Sequence, residues 1–593
     1  MTIVVGEVVA VNGTKISLKI FEESNREVLF YKGEQYKGVS IREYISIQRG
    51  FRKIVCLVEG EYLDEKKSEI DGVRVDFTRR VDVRPVGYFE SGKFLQGIKF
   101  MPMIKDQAQL LNEEQISTIF TKPDAGVAVV IGRLLKEGIE VGLPWRRLFN
   151  THIGIFGNTG SGKSNTLAKL YTALFEKKYA SIEGVSRFVI IDFNGEYTGA
   201  QLVPRASKTV YDLNTRVDNG DKFKLQESEF WSAETLALLF QATPNTQQPF
   251  LNRLVLGRAR YANNADSLTR YAHSSFRKAM CAARPRPESL DLLRSIARLL
   301  GANEVSDALK RISWHSGFSK FFRPDGGVYF DSDGANYDAH LAATVETMDL
   351  SQLDSFLQLQ IRANLQLVND LVHGYVQFDF IQPLLKRIES VSAELSRVVE
   401  VARGEVGEQT VTVISLKRCS NAVKKILPLL VAKHYYGAHR ARVAQPPDGT
   451  FTLIIDEAHN ILSQQSSREQ ESWKDYRLEM FEEIVKEGRK FGFYITLSSQ
   501  RPADISPTIV SQLHNFFIHR LVNDRDLLLI DNTITTLDSL SKGLIPSLSQ
   551  GACVATGTAF DLPLVLQVDP MGRELRPDSD DVDLESLWRP RLL

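Results

Sequence analysis

The chain has 593 residues, 43% of them hydrophobic and 25% charged, with 73 Lys and Arg against 73 Asp and Glu. This is the balance of an ordinary globular protein, and at roughly 150 residues per domain it allows about four domains; global disorder and collagen-like order are excluded. A protein that coats nucleic acid with its whole surface would be basic, so any such contact is confined to a local lining, as in a channel. No stretch approaches the ~18 uninterrupted apolar residues that span a bilayer. The N-terminal run has no basic start or small-residue cleavage site, so it does not read as a signal peptide. The four cysteines (Cys56, Cys281, Cys419, Cys553) lie far apart with no CxxC pair. A disulfide framework or zinc site is not expected, and a reducing, cytoplasmic setting is.

In chain order, Ile3–Val11, Lys15–Ile20, Val28–Tyr31, Ile54–Val58 and Val73–Phe77 are β-rich runs separated by Gly, Asn and Asp. Their spacing predicts a small barrel or sandwich over residues 1–105, with Gly97–Met103 closing it. Val127–Ile131 and Ile139–Val141 read as a hairpin into the next domain. From His152 the pattern becomes strand, glycine loop, helix. Phe188–Asp192, Val411–Leu416, Leu453–Asp456, Tyr494–Ser498 and Phe516–His519 are short continuous apolar strands. Such strands with helical connections imply a parallel sheet covered on both faces. Between 227 and 400 the pattern is mostly helical, with Leu292, Leu293, Ile296, Leu299 and Leu300 on one face. This reads as a helical subdomain inserted between two core strands. Ser463–Lys474 is a polar loop, and the tail from Arg573 is Asp-rich. The expected division is therefore a barrel at 1–105, a first core segment at 106–226, the insertion at 227–400, a second core segment at 401–572 and a tail at 573–593.

The chemistry begins at Gly157-Asn158-Thr159-Gly160-Ser161-Gly162-Lys163-Ser164, a complete P-loop pattern. Its flanks agree: His152–Phe156 is a strand, and Leu167, Leu170, Tyr171 and Leu174 make one helix face. The glycines let backbone N–H groups wrap phosphate oxygens at a helix N-terminus. Residues 157–165, Asn165 included, are the expected ATP cradle. Lys163 is expected to reach the β/γ-phosphates and the Ser164 hydroxyl to ligate Mg²⁺. The apolar strand Leu453–Ile455 ends in Asp456-Glu457, the first acid suited to the Mg²⁺ shell and the second to polarising the attacking water. Gln500, at the end of the next strand, is expected between the two acidic strand ends as a γ-phosphate sensor. Asp192 and Glu196, in Asp192-Phe-Asn-Gly-Glu196-Tyr197, bring a second acid pair to the same sheet edge. Arg489, in Glu487-Gly-Arg-Lys-Phe-Gly492, can reach a neighbouring subunit's site and neutralise transition-state charge. Asp456-Glu-Ala-His459 also spells the box of two-lobed helicases, but too little chain follows it for a second ATPase lobe. An ATP-binding-cassette reading fails because no LSGGQ precedes the acidic strand.

Taken together, the N-terminal β module, THIGIFGNTGSGKSNT, IDFNGEY, LIIDEAHN, EGRKFGF and LSSQRP, in that order, resemble the HerA family of ring ATPases within the HerA–FtsK group. The resemblance covers nearly the whole chain, the insertion matching least. It departs at Phe193-Asn194, where family members often carry Pro-His. It implies an α/β chain with a small N-terminal β barrel and a RecA-like P-loop core around a parallel sheet. It also implies a homohexamer with a central channel for double-stranded DNA, ATP sites between subunits and Arg489 as the finger supplied in trans. The barrel would dock a partner effector, either a nuclease (NurA-type in archaea) or a sirtuin-type NADase in bacterial anti-phage systems. The expected function is an ATP-hydrolysing motor on double-stranded DNA. A scaffold that uses ATP to license the effector is the alternative, and a DNA end-resection motor with a NurA-type nuclease a further one. Arg205, Lys208, Arg216, Lys222, Lys224, Lys417 and Arg418 are the candidate channel lining.

Overall fold

The computed structural model describes residues 3–31, 34–68, 74–120, 128–260, 266–404, 407–464, 471–578 and 588. Val73 and Val127, at the ends of two expected strands, lie outside these residues. So do the centre of the 463–474 loop and all of the Asp-rich tail beyond 578 except Trp588.

The N-terminal strands close into a six-stranded antiparallel barrel. Lys15–Ile20 pairs with Val4–Asn12 on one side and with Arg74–Glu90 on the other, which joins the two ends of the sheet. Alternate residues point inward, as the pleat requires. Val5, Val8, Ile16, Leu18, Ile45, Ile47, Val81 and Val83 make a dry interior. Two strands of 17 residues, Arg52–Ser68 and Arg74–Glu90, extend this sheet as one long hairpin. The closing strand is Gln107–Leu110, between Val4–Asn12 and Tyr44–Arg49, and not the expected Gly97–Met103. Positive φ angles at Gly97 and Lys105 turn the intervening chain into a loop. The barrel thus runs past residue 105. Val28–Tyr31 does not join it but forms a separate ribbon with Glu34–Lys37.

The second sheet has eleven strands. In spatial order they are Glu140–Leu143, Val129–Leu134, Leu564–Val568, Ala552–Gly557, Asn515–Ile518, Ile153–Phe156, Phe493–Ser499, Thr450–Ile455, Ser186–Asp192, Val411–Arg418 and Lys208–Asn214. The last seven are mutually parallel and the first four attach antiparallel. Ile153–Phe156 and Phe493–Ser499 are buried at every position, as strands covered on both faces must be. Helix Lys163–Ile182 covers one face and helices Asn421–Arg442 and Glu471–Glu487 the other, each with its own apolar cluster. Among the described residues no helix is long and apolar enough to cross a membrane.

The insertion leaves the sheet after Lys208–Asn214 and returns at Val411–Arg418, the strand beside it. Phe223–Gln226 and Val399–Ala402 pair in parallel as its neck. Its helices, from Glu227–Phe230 to Phe378–Val398, bury Leu292, Leu293 and Ile296 in a core continuous with that of the sheet. It also carries a three-stranded antiparallel sheet at Ser313–His315, Lys320–Arg323 and Val328–Tyr329. Those strands are too short to leave a period in the sequence.

Candidate nucleotide site

Strand Ile153–Phe156 lies at the middle of the eleven-stranded sheet, between Phe493–Ser499 and Asn515–Ile518. The loop that leaves it, residues 157–162, turns into helix Lys163–Ile182 at the carboxyl edge of the sheet. Two of its glycines are required by close approach. A Cβ on Gly157 would sit 2.5 Å from His519 Cβ, and one on Gly162, where φ is +109°, would sit 2.9 Å from Gly551 Cα. The loop is tied to its neighbours by backbone bonds from Asn158 N to Arg520 O (2.9 Å) and from Gly551 N to Ser161 O (2.9 Å). The P-loop backbone is therefore fixed before any ligand arrives, as phosphate recognition by N–H groups needs.

His519 is a supporting residue that the sequence reading saw only as the end of a strand. It is fully buried under the P-loop, and its Nδ1 donates to Ala552 O at 2.9 Å. Burial, helped by the Lys163 charge, lowers its pKa to about 4, so the ring is neutral.

Lys163 is buried, with Nζ 3.9 Å from Glu457 Oε1. Glu457 is buried at the end of Thr450–Ile455 and holds φ at +50°. This conformation is sparsely populated for a residue with a Cβ, and such strain collects at functional sites. The other Glu457 oxygen, Oε2, lies 3.2 Å from His459 Nδ1. Burial pushes the Glu457 carboxyl up, but the His459 ring and the Lys163 charge outweigh it, so the group stays below its ordinary pKa and is ionised. The sequence reading gave His459 no role.

Asp456 is almost fully buried, and its Oδ2 has no hydrogen-bond partner. Burial, then the charges of Glu196, Glu457 and Asp192, push its carboxyl well above the usual range. Among the described residues no group of three or more His, Cys, Asp or Glu forms a metal cage by itself. An orphaned, charge-crowded carboxylate beside the P-loop fits a cation that completes its shell with phosphate oxygens and the Ser164 hydroxyl.

Four predicted residues sit differently from expectation. Asp192 does not face the phosphate cradle. Its Oδ1 accepts from Asn194 N (3.2 Å) and Gly195 N (2.7 Å), and its Oδ2 from Tyr197 N (2.9 Å). It shapes the 192–197 turn and presents Glu196, whose buried Oε2 is unpartnered. Burial raises the Asp192 pKa to about 6 against the pull of those N–H groups. Asn165 does not line the cradle either. Its Nδ2 donates to Asp569 O at 3.1 Å and its Oδ1 accepts from Met571 N at 2.9 Å, clipping the C-terminal segment across the P-loop helix. Gln500 lies between the P-loop strand and the Asp456 strand, and not between the two acidic strand ends, because Thr450–Ile455 and Ser186–Asp192 are direct neighbours. Its Oε1 accepts from the Thr159 hydroxyl, which links it to the P-loop. Lys208 is buried and donates to Tyr197 O and Gln201 O, both at 2.7 Å, so it cannot line a channel. Burial lowers its pKa to about 8. Lys417 and Arg418 are exposed at the carboxyl edge, and Arg205, Arg216 and Lys224 are exposed as well.

Arg489 is not brought to this site at all. It follows helix Glu471–Glu487 and precedes strand Phe493–Ser499, so it stands at the amino edge, about 20 Å from Gln500 at ~3.3 Å per strand residue. There Nη1 reaches His514 Nε2 at 3.4 Å. Burial, then the Arg489 charge, lowers the His514 pKa and keeps it an acceptor.

Comparison with known proteins agrees with this geometry. Residues 129–300 match the family model described as the central domain of helicase HerA. The chain is 22% identical over 508 residues to the DNA double-strand break repair helicase HerA of Sulfolobus acidocaldarius, covering 84% of this chain and 79% of that one. It is also 22% identical over 552 residues to the probable helicase MJECL08 of Methanocaldococcus jannaschii, covering 88% and 90%. The chain is similar to the HerA helicases over most of its length, and it is a P-loop ATPase. Among solved structures, VirB4 of Thermoanaerobacter pseudethanolicus superposes over 76% of this chain and 99% of its own, with a TM-score of 0.41 and 14% identity. As a P-loop ATPase, the protein binds nucleotide and hydrolyses ATP.

Proposed function

We propose that this P-loop ATPase is of the HerA type and works as a homohexameric motor on double-stranded DNA, with a partner effector docked on its N-terminal barrel. The observation that carries the reading is the separation of Arg489 from the P-loop of its own chain. A lone chain offers phosphate cradle, cation ligand and general base at one sheet edge and the arginine at the other. A closed ring that sets one edge against the next gives each ATP two subunits, with Arg489 in trans. The curated relatives' names, DNA double-strand break repair helicases, support DNA as the track.

In this reading Lys163 neutralises the β/γ-phosphates, and Ser164 and Asp456 would hold Mg²⁺, which would supply charge neutralisation for the triphosphate. Glu457 takes the proton of the attacking water. Before ATP binds, its carboxylate lies between Lys163 and His459; the γ-phosphate draws Lys163 away and leaves Glu457 to the water. Gln500 reports the γ-phosphate through Thr159, and Glu196 adds a second acid beside Asp456. Lys417, Arg418, Arg205, Arg216, Lys222 and Lys224 are the candidate channel contacts.

The effector is a nuclease or a sirtuin-type NADase, and the setting cytoplasmic anti-phage defence. A β module with no catalytic group of its own suits a docking role. One copy binds weakly, whereas copies repeated around the ring hold a multimeric partner by avidity. Mass photometry should report six copies, with ATP turnover stimulated by duplex DNA. Deleting residues 1–111, which removes the barrel with its closing strand, should abolish co-purification with the effector and leave the ring and most turnover. A ring that lacks DNA stimulation yet still activates the effector favours the ATP-gated scaffold. Full effector binding without the barrel moves the docking surface elsewhere.

A further inference from the structure

The insertion contains an arginine whose position nothing in the ATPase cycle explains. Arg362, in the middle of helix Ser355–His373, is only 8% exposed. Among the described residues its guanidinium has no ion pair, hydrogen bond or aromatic ring, and its Nε is fully shielded from solvent. One turn before it, Gln358 Oε1 is engaged by Arg258 Nε at 3.4 Å. One turn after it, Gln366 Oε1 accepts from the Tyr271 hydroxyl at 3.3 Å. Arg258 and Tyr271, on two neighbouring helices, are the groups whose charge acts on Arg362, one a further cation and neither a carboxylate. Glu227 is shared by Arg258 and Arg403. Asp370 is held by Arg253 at 2.7 Å. Counting Arg362, these are four arginines against two acids, and its guanidinium stays ionised at neutral pH although burial, then the Arg258 charge, lowers its pKa to about 10.

We propose that Arg362 is the buried donor of an oxyanion site in the inserted subdomain, which takes a phosphoryl group from a nucleic-acid backbone or from a free phosphate ligand. A buried charge without a partner is costly, and interiors hold one only where a counter-charge is supplied. The planar fork offers parallel N–H groups that match two oxygens of a phosphoryl group. The surplus of positive charge favours a multiply charged phosphoryl group over a single carboxylate. The site is independent of the P-loop, on a different subdomain.

The test uses the full-length ring carrying Lys163→Ala, so that the P-loop does not take up phosphate. Thermal unfolding is followed in rising inorganic phosphate against chloride at matched ionic strength. The midpoint should rise by a few degrees, as ligand linkage requires. Adding Arg362→Met should abolish that rise and leave the midpoint in chloride equal or higher. Binding of a short DNA duplex by fluorescence anisotropy separates the two sources. For a backbone phosphate, Arg362→Met weakens DNA binding about tenfold and lowers the logarithmic salt slope by about one. Lost phosphate response with unchanged DNA binding assigns the site to a free phosphoryl ligand. Identical phosphate response and identical DNA binding in both variants overturn the proposal. If the methionine variant does not fold, Arg362→Lys decides. It keeps the charge and loses the fork, so the half-saturating phosphate concentration should rise several-fold, and an unchanged value overturns the site.

Discussion

The two edges of the eleven-stranded sheet are built from opposite materials. The carboxyl edge gathers Asp192, Glu196, Asp456 and Glu457 around one buried lysine. Orphaned oxygens remain on Glu196 and Asp456, and Glu457 is held in a left-handed backbone conformation. The amino edge gathers His152, His514, Tyr494 and Arg489, and its acceptors are used: His152 Nδ1 takes Ile495 N at 2.9 Å and His514 Nε2 takes Arg489. Four carboxylates share one buried lysine at the first edge, and the second offers a further cation. In the proposed ring each would be half of a phosphoryl-transfer site, so the electrostatic incompleteness of a single chain supports a neighbour's part in it as much as any surface patch does.

The sharpest way to break that comparison is Arg489→Ala. If the amino edge serves the next subunit's ATP, turnover should fall by about 10³-fold while nucleotide binding and ring size persist. Mixing this variant with Glu457→Gln should restore part of the turnover, because some interfaces then pair an intact Glu with an intact Arg. Steady-state phosphate release reads both results. Absence of rescue passes the role to Arg501 or Arg520, both on the carboxyl side. Glu457→Gln by itself should bind ATP and turn over at least about 10²-fold more slowly, whereas Lys163→Ala should lose nucleotide affinity first. Normal turnover in Glu457→Gln would remove it as the base.

The carboxyl edge was legible because its chemistry is written in contiguous strings, and a P-loop or an acidic strand end carries its own spacing. What those strings could not carry was side-chain direction. Asp192 sits in the expected motif, but the Asn194-Gly195 turn behind it offers three N–H groups that capture its oxygens. Asn165 follows Ser164 directly, yet it faces a segment some 400 residues later in the chain. The barrel's last strand was missed because Gln107–Leu110 is only four residues long and alternates weakly. The strand order was beyond reach too: nothing local says that Phe493–Ser499 separates the P-loop strand from the Asp456 strand. The amino edge was legible least of all. Its members are single residues before strands, and only the parallel register brings His152, Arg489 and His514 together.

A smaller effect tests how each edge is buttressed. His152 and His519, one at each edge, are both fully buried, and burial is the leading cause that holds each near a pKa of about 4, against about 6.5 for an exposed imidazole. A depressed histidine pKa means that the unfolded chain binds the extra proton between pH 6.5 and 4. Stability from each ring is therefore complete above about pH 6.5 and is lost as pH falls toward 4, by roughly 2–3 kcal/mol per ring. The raised Asp192 carboxyl works in the opposite sense over the same range, losing its contribution as pH rises toward 6. The informative measurement is thus a difference. The midpoint of thermal unfolding should fall less steeply with acid in His519→Gln than in the parent, and likewise in His152→Gln. Parallel pH curves would mean that the rings charge in place.

The smallest effect concerns Asn165, where motif and geometry disagree most directly. A residue that follows the P-loop serine is expected to serve the nucleotide. Its side chain instead spans Asp569 O and Met571 N, the point where the chain leaves the last strand of the sheet and crosses helix Lys163–Ile182. Farther along, Arg576 O accepts from Gln201 Nε2, and Asp578 N donates to Glu196 O. The clip therefore anchors a strap that ends on the turn carrying Glu196. Asn165→Ala removes both hydrogen bonds and leaves a peptide N–H and a carbonyl to find water, at a cost of about 1–2 kcal/mol. The expected result is an unfolding midpoint lower by a few degrees, faster proteolysis after residue 569, and nucleotide affinity within a factor of about two of the parent. A fluorescent-nucleotide titration alongside the melt separates the two accounts. An affinity loss beyond tenfold at an unchanged midpoint would return Asn165 to the nucleotide site and leave the strap without its clip.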